Sequence, residues 1–311
     1  MGIRQLNKLI RYHSPLETIS LVELKNKVIV IDIMIYIYKF LANDALLENI
    51  YLLCVLLDKH NIDPIFIFDG QKPAEKNAEL ERRRNNRKKA WLKYDTMVEN
   101  LNEDQLNTEE AQRELSRLKR QCVKLKSYHI ADVKNLILYC GMKYIIAEGE
   151  ADKLCAELVI NKTAYACMSD DMDLFVYGCP IVLRLFNISK RNIIRYDLQK
   201  ILSYLNMNIE CFRVMCALCG TDYNISYNKY NIFNVYKKYI YYVNNVNNIT
   251  FLDWIISQYN DSGKKCICEI IEMFTIDKFQ KFTVCSSDFV DKIKLYQLLE
   301  KEFFLNPITV Y

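Results

Sequence analysis

The 311-residue sequence lacks most of the features that would send it to a membrane or out of the cell. No apolar run approaches the ~20 residues needed to span a bilayer, and no secretory signal precedes the cysteines. Met1-Gly2 opens like an N-myristoylation site, but Leu6 stands where that motif wants Ser or Thr. Histidine is scarce, with three in the chain. Cys216-x-x-Cys219 and Cys266-x-Cys268 therefore lack the histidines and turn residues of a zinc knuckle. The twelve cysteines are scattered singly through apolar segments, as free buried thiols in a reducing compartment are. The expectation is a soluble protein of the nucleus or cytoplasm. Net charge is only +4, so overall charge says little about nucleic acid. There is no internal repeat, and the Asn/Tyr enrichment reads as nucleotide bias of the source genome.

What is present is local. Hydrophobic content of 51% suffices for a buried core in one large domain or two. Arg82, Arg83, Arg84, Arg87, Lys88 and Lys89 form one basic run, and Arg113, Arg117, Lys119, Arg120, Lys124 and Lys126 form a second. Apolar segments end at Asp32 and Asp69, a third runs into Glu148-Gly149-Glu150, and a fourth leads to Asp171-Met172-Asp173. A helix-like stretch reaches Asp222. Short strand and helix signals alternate over the first two-thirds of the chain. Strands are expected at residues 28–32, 64–69, before Glu148, before Asp170, and as a pair at 181–185 and 193–196. One helix is expected from Ile35 to His60. This pattern implies an α/β fold with a mostly parallel sheet flanked by helices. Residues 72–128, polar and helix-prone, interrupt the sheet, and the chain from residue 224 is helical in pattern.

Open α/β sheets bind ligands at the carboxyl ends of their strands, so acids placed there can converge. Clustered like charges repel unless a positive charge sits among them. The natural neutraliser is a hard divalent cation with oxygen ligands, Mg²⁺ before Ca²⁺ or Mn²⁺. Seven acids suit two such ions, the arrangement for in-line attack on a phosphodiester. Asp171 and Asp173 would share one side of an extended strand, and Gly149 would permit a turn between Glu148 and Glu150. Any single aspartate after a strand equally serves as a helix cap. Lys76 and Arg83, seven residues apart on one helix face, could offset charge on a phosphate or belong to a solvated basic face. Tyr38 could stack on a base or sit in the core.

With these residues in hand, the chain resembles the flap endonuclease family of structure-specific 5′-nucleases. The resemblance is carried by Met1-Gly2-Ile3-Arg4, Ile31-Asp32 with Tyr38, and Phe68-Asp69-Gly70-Gln71-Lys72-Pro73 followed by Lys76 and Arg83. It continues through Glu148-Gly149-Glu150-Ala151-Asp152, Ser169-Asp170-Asp171-Met172-Asp173 and Gly220-Thr221-Asp222-Tyr223. It implies a PIN-like 5′-nuclease core over residues 1–223, with a helical arch at 72–128. It also implies a helical region at 224–311 packed on the core and contacting duplex DNA. Asp32, Asp69, Glu148 and Glu150 would serve one Mg²⁺, and Glu150, Asp171, Asp173 and Asp222 a second, with Mn²⁺ able to substitute. Lys76 and Arg83 would reach the scissile phosphate from the base of the arch. Gly2, Tyr38, Arg82, Arg84, Arg87, Lys88 and Lys229 would lie near DNA, the substrate being branched or flapped DNA and the protein a monomer.

The match ends after Tyr223. Residues 225–232 hold no glycine where the family has a hairpin that grips duplex DNA around K⁺. Gln297 with Phe303 and Phe304 resembles the family's sliding-clamp peptide, but Glu300 occupies an aliphatic slot, and an ordinary C-terminal helix fits as well. These departures and the composition are similar to those of divergent nucleases of large DNA viruses or reduced eukaryotes. The competing functions are a general nuclease acting on RNA or DNA ends and a DNA-binding scaffold without catalysis. Without the hairpin, affinity for flap DNA should fall with salt identically in matched KCl and NaCl series, as counterion release dictates. A reproducible advantage in KCl would contradict this.

Overall fold

The computed structural model describes residues 2–71, 73–100, 108–223, 230–258, 261–276, 282–287 and 289–305, leaving aside the side chains of 74, 261, 262, 264 and 301–305. The runs of Val, Ile and Phe become strands β2 (Val28–Asp32), β3 (Asp63–Phe68) and β5 (Ala166–Met168). β2 pairs in parallel with both β3 and β5, and β5 pairs in parallel with β6 (Ile181–Asn187). Ile29, Val30, Ile31, Phe66, Ile67 and Cys167 are all fully buried. Strands covered on both faces need such unbroken apolar runs rather than alternation.

The expected mostly parallel sheet is present with an antiparallel edge. β7 (Asn192–Asp197) returns antiparallel to β6, and β1 (Glu17–Ser20) pairs antiparallel with β7. With β4 (Lys143–Ile146) and β8 (Val284–Ser286), the mixed eight-stranded sheet has the order β1-β7-β6-β5-β2-β3-β4-β8.

The chain divides into two compact units. The first comprises residues 1–32, 60–76 and 145–283. It holds α1 (Leu6–His13), α7 (Ala151–Ile160), α8 (Asp173–Tyr177), α9 (Leu198–Tyr204), α10 (Ile209–Cys219), α11 (Ile232–Asn245), α12 (Phe251–Ile256) and α13 (Asp261–Met273). α7 buries Leu154, Cys155, Ala156 and Leu158, so it is enclosed nearly all round rather than amphipathic. Asn208, Asn231 and Thr250 cap α10, α11 and α12 by accepting backbone N–H bonds.

The second unit comprises residues 33–59, 77–144 and 284–311. It holds α2 (Ile33–Leu41), α3 (Leu46–Lys59), α4 (Asn77–Asn100), α5 (Glu109–Cys122), α6 (Ser127–Tyr139) and α14 (Lys292–Leu305). The single helix expected from Ile35 to His60 is thus two helices. Asp44 takes a left-handed φ of 55°, which an α-helix cannot continue through. α4 and α5 pack along one another, with Ala90 of α4 and Leu118 of α5 buried. The twelve cysteines are free thiols, six buried and six half-buried.

One close approach ties two strand ends together in the first unit. Ala147 N–H donates to the Phe68 carbonyl at 2.9 Å, Gly70 N–H to the Gly149 carbonyl at 2.7 Å, and Gln71 N–H to the Glu148 carbonyl at 3.0 Å. A Cβ on Gly70 would stand 1.9 Å from the Ala147 carbonyl oxygen, so only glycine fits there. Gly70→Ala should lower unfolding stability by about 1–3 kcal/mol or more. Denaturant titration checks this, and an unchanged midpoint would contradict the packing described.

Candidate metal centre

The sheet register places the first acids. Asp32 is the last residue of β2 and lies beside Ile67 of β3, two residues before Asp69, while Ile31 pairs with Met168, three before Asp171. Asp32, Asp69 and Asp171 therefore leave neighbouring parallel strands at the same, carboxyl, edge. A run of short-range bonds fixes them. The Ser169 hydroxyl donates to Asp32 Oδ2 at 2.9 Å, Asp171 N–H donates to Ser169 Oγ at 3.1 Å, and Asp173 N–H donates to Asp171 Oδ1 at 3.0 Å. Asp32, Asp171 and Asp173 are only 4%, 6% and 2% exposed. The Asp171/Asp173 couplet does not share one side of an extended strand. β5 stops at Met168 and Asp173 opens α8, so a turn rather than a pleat brings the pair together.

The remaining acids arrive from the adjoining turns. Glu148 and Gly149 form the expected turn, and Glu150 stands at the N-cap of α7. Asp69 Oδ1 accepts the Ala151 N–H at 2.9 Å, so the acid closing β3 satisfies an orphan donor of α7. Lys76 reaches into the group. Its Nζ lies 2.6 Å from Glu150 Oε1 and 4.0 Å from Asp222 Oδ2, with 11% of the side chain exposed. Burial works against that ammonium, but Glu150, Asp173 and Asp152 outweigh it and hold its pKa above the usual lysine value. Gly2 lies against the acids with φ +76°, and a Cβ there would meet Asp171 Oδ1 and Asp173 Oδ1 at 2.4 Å each.

Two groups went unassigned in the sequence. Asp152, in the first turn of α7, has no hydrogen-bond partner for Oδ1 among the described residues. Burial, then the charges of Asp171, Asp32 and Asp173, push its carboxyl well above the usual range. Its signal was present as the end of Glu148-Gly149-Glu150-Ala151-Asp152, where an acid in a first helical turn is unremarkable. Tyr223 donates its hydroxyl proton to Glu150 Oε2 and packs its ring 5.0 Å from Lys76 Nζ. Burial drives the Tyr223 and Tyr177 phenols far above their ordinary values, so both stay protonated.

The donor set is oxygen-only, which suits a hard divalent cation. Asp173 Oδ1 is buried with no hydrogen-bond partner among the described residues, so a buried acceptor there faces the acid cluster unsatisfied. Among the described residues no three acid, histidine or cysteine side chains close on one point as a finished coordination shell. The residues fit such an ion as a lined site rather than a preformed cage.

The other assigned residues lie in the second unit or outside the description. Arg83 Nε donates to Glu79 Oε1 at 2.6 Å, and Arg82 donates to both Glu79 oxygens at 2.6 and 2.7 Å. Glu79, 2% exposed, is opposed by burial, yet the two guanidiniums bring its carboxyl below the usual range. Tyr38, Arg83, Arg87, Lys93, Arg117 and Arg120 line a cavity of about 550 Å³ between α4 and α5. Arg84 and Lys88 are exposed on α4, and Gln297 is exposed on α14. Lys229 and the rest of the 224–229 stretch, with the side chains of Phe303 and Phe304, lie outside the described residues.

Comparison with known proteins places this arrangement. The XPG N-terminal domain matches residues 1–90 and the XPG I-region matches residues 141–222. The chain is 27% identical over 283 residues to the probable RAD2-like endonuclease 076L of Invertebrate iridescent virus 3, covering 72% of this chain and 74% of that protein. It is 30% identical over 227 residues to Flap endonuclease 1 of Methanococcus aeolicus, covering 68% and 67%. In curated flap endonucleases the match spans between 61% and 67% of the relative's own length. The catalytic core of Rad2 in complex with DNA substrate shares the fold, with a TM-score of 0.67 over 97% of this chain and 96% of that one, at 18% identity. The fold is of the PIN-like α/β type. The chain belongs to the flap endonuclease family, the group that carries the XPG N-terminal and I-region domains.

The buried acids set a pH dependence. Burial first, then Asp171 and Asp222, raise the Asp173 carboxyl well above the usual range, with Lys76 offsetting part. An acid whose folded pKa exceeds its unfolded value of about 3.9 destabilises the fold progressively as pH rises above that value. Asp173→Asn should therefore raise the melting temperature of metal-free protein at pH 7, by roughly 2–4 °C per kcal/mol relieved, and much less near pH 4. Thermal melts in chelator at both pH values check this, and a gain that is equal at both would contradict it.

Proposed function

We propose that this chain is a Mg²⁺-dependent 5′-nuclease that hydrolyses phosphodiesters in branched or flapped DNA during replication, repair or recombination. The observation that carries the reading is the oxygen-only acid group at the carboxyl edge, with Asp32, Asp171 and Asp173 buried, Asp173 Oδ1 without a hydrogen-bond partner among the described residues and Lys76 reaching in. Concentrated negative charge is of no use to a protein that only holds phosphate, so the scaffold alternative has no support from these residues. Asp32, Asp69, Glu148 and Glu150 would hold one ion, and Glu150, Asp171, Asp173 and Asp222 a second, with Mn²⁺ substituting and no K⁺ required. Bound cations would supply Lewis acidity and an activated water.

The chain's own residues do the rest. Water oxygen bonds to phosphorus as the bridging P–O bond breaks, and the leaving oxygen takes up a proton. Lys76, kept charged by its neighbours, offsets negative charge growing on the phosphate. Arg83, held by Glu79, would do the same, and the basic cavity beside Tyr38 would receive a single strand. Residues 1–223, with the arch at 72–128, would be the nuclease core. Residues 224–311 would contact duplex through side chains such as Lys237 and Lys238, along with Lys229. The protein would act as a monomer in the nucleus or at a cytoplasmic replication site, and the Gln297 peptide leaves a sliding clamp as an optional partner.

The test is purified full chain with Mg²⁺ on labelled flap, nicked, gapped and single-stranded DNAs and RNAs. Selective cutting at the flap junction is expected. Cutting of RNA or plain ends without branch preference would support the general nuclease instead. Lys76→Ala should lower turnover by about a hundredfold while flap affinity stays nearly constant, because its partner is transition-state charge. Arg83→Ala should follow the same pattern, and Asp173→Ala should abolish cleavage while leaving binding intact. If Lys76→Ala only weakens binding, the residue belongs to a generic basic face.

A further inference from the structure

The two carboxylate oxygens of Glu150 are held by different side chains. Lys76 Nζ lies 2.6 Å from Oε1, and the Tyr223 hydroxyl donates to Oε2. Tyr223 has a second phenolic neighbour, since the Tyr177 hydroxyl oxygen is 3.3 Å from its own. A phenol carries one proton. Tyr223 gives its proton to Glu150 and can only accept from Tyr177, so the bonds run in series from Tyr177 through Tyr223 to Glu150. Both phenols are fixed by packing. Phe274 sets its ring 4.8 Å from Tyr177 and 5.5 Å from Tyr223, and Tyr177 is 3% exposed at the end of α8.

From this geometry we infer that Tyr177 and Tyr223 are positioning residues, a two-phenol relay that fixes the Glu150 carboxylate and thereby sets the divalent-cation affinity of the site. The inference rests on the metal-dependent reading above. An oxygen ligand held by an outer hydrogen bond has its orientation chosen in advance, and such outer partners matter nearly as much as ligands do. Lys76 neutralises Glu150 but, as a flexible point charge, does not orient it. Orientation falls to the rigid, packed phenol. Tyr177 acts one step further out by polarising the Tyr223 hydroxyl.

The experiment is direct cation binding to the full-length protein, without DNA. Free Mn²⁺ is followed by electron paramagnetic resonance and Mg²⁺ by calorimetry, for wild type, Asp173→Asn, Tyr223→Phe, Tyr177→Phe and the double phenylalanine variant. Tyr223→Phe should weaken binding by about tenfold, and Tyr177→Phe by a smaller factor. The double variant should match Tyr223→Phe alone, because a serial relay has nothing left to transmit once its middle member is gone. Raising Mg²⁺ should restore the flap-cleavage rate of Tyr223→Phe, which a simple packing defect would not allow. Wild-type affinity in Tyr223→Phe, or additive losses in the double variant, would overturn the relay while leaving the metal reading intact. Wild-type binding that is indifferent to Asp173→Asn would overturn the metal reading and the relay together. Should Tyr223→Phe fail to fold, as judged by its melting curve, Tyr177→Phe decides alone, and unchanged affinity there overturns the relay.

Discussion

The first unit is built around negative charge held where water is scarce. Two like charges 4 Å apart repel by about 4 kcal/mol at the effective dielectric of a protein surface, and more when drier. Asp32, Asp171 and Asp173 are nearly inaccessible, so repulsion acts on the fold continuously. Three devices contain it. The sheet register spaces the carboxylates along one edge, the Ser169 turn ties three of them into one bonded sequence, and Lys76 places a cation beside Glu150. Phe175, Val176, Ile67 and Leu154 belong to the buried apolar core of the same unit.

The second unit manages the opposite sign. α4 buries only Glu79 and Ala90 over 24 residues, so its cohesion depends on α5 and on ion pairs rather than on a broad apolar stripe. Glu79 gathers Arg82 and Arg83 into one fork, which spends two cations to keep one acid buried. Arg83 also lines the α4–α5 cavity with Arg87, Arg117 and Arg120, where mutual repulsion favours a polyanionic occupant. Each unit thus carries a local field much stronger than the overall charge of +4 suggests.

The central strands were legible because parallel strands covered on both faces must be continuously apolar, and the ends of β2, β3 and β5 were legible because an acid closes each or follows within two residues. β1 was not, since Ile19 is its one buried residue and its other side chains are exposed. The break between α2 and α3 was hidden because the apolar stripe through Ile37, Leu41, Leu47 and Leu56 continues across it. The Asp171/Asp173 couplet was correctly brought together for the wrong local reason, as its spacing is shared by a strand and by a strand-to-helix turn. Tyr223 could not be assigned to Glu150, since 73 residues separate them and only tertiary packing supplies the contact. Arg83 was legible as a cation near Asp69 in sequence, but its bonds to Glu79 follow from helical spacing that only a residue-by-residue pairing would have found.

The left-handed Gly2 backbone has a practical corollary. Gly2 has no room for even a Cβ beside Asp171 and Asp173, so a segment joined ahead of it begins within reach of those carboxylates. An affinity tag or fluorescent fusion placed at that end would crowd the acids and shield them from ions and from a phosphate chain. Labels for pull-down, imaging or surface immobilisation belong instead at an exposed loop such as the Asn187–Asn192 turn.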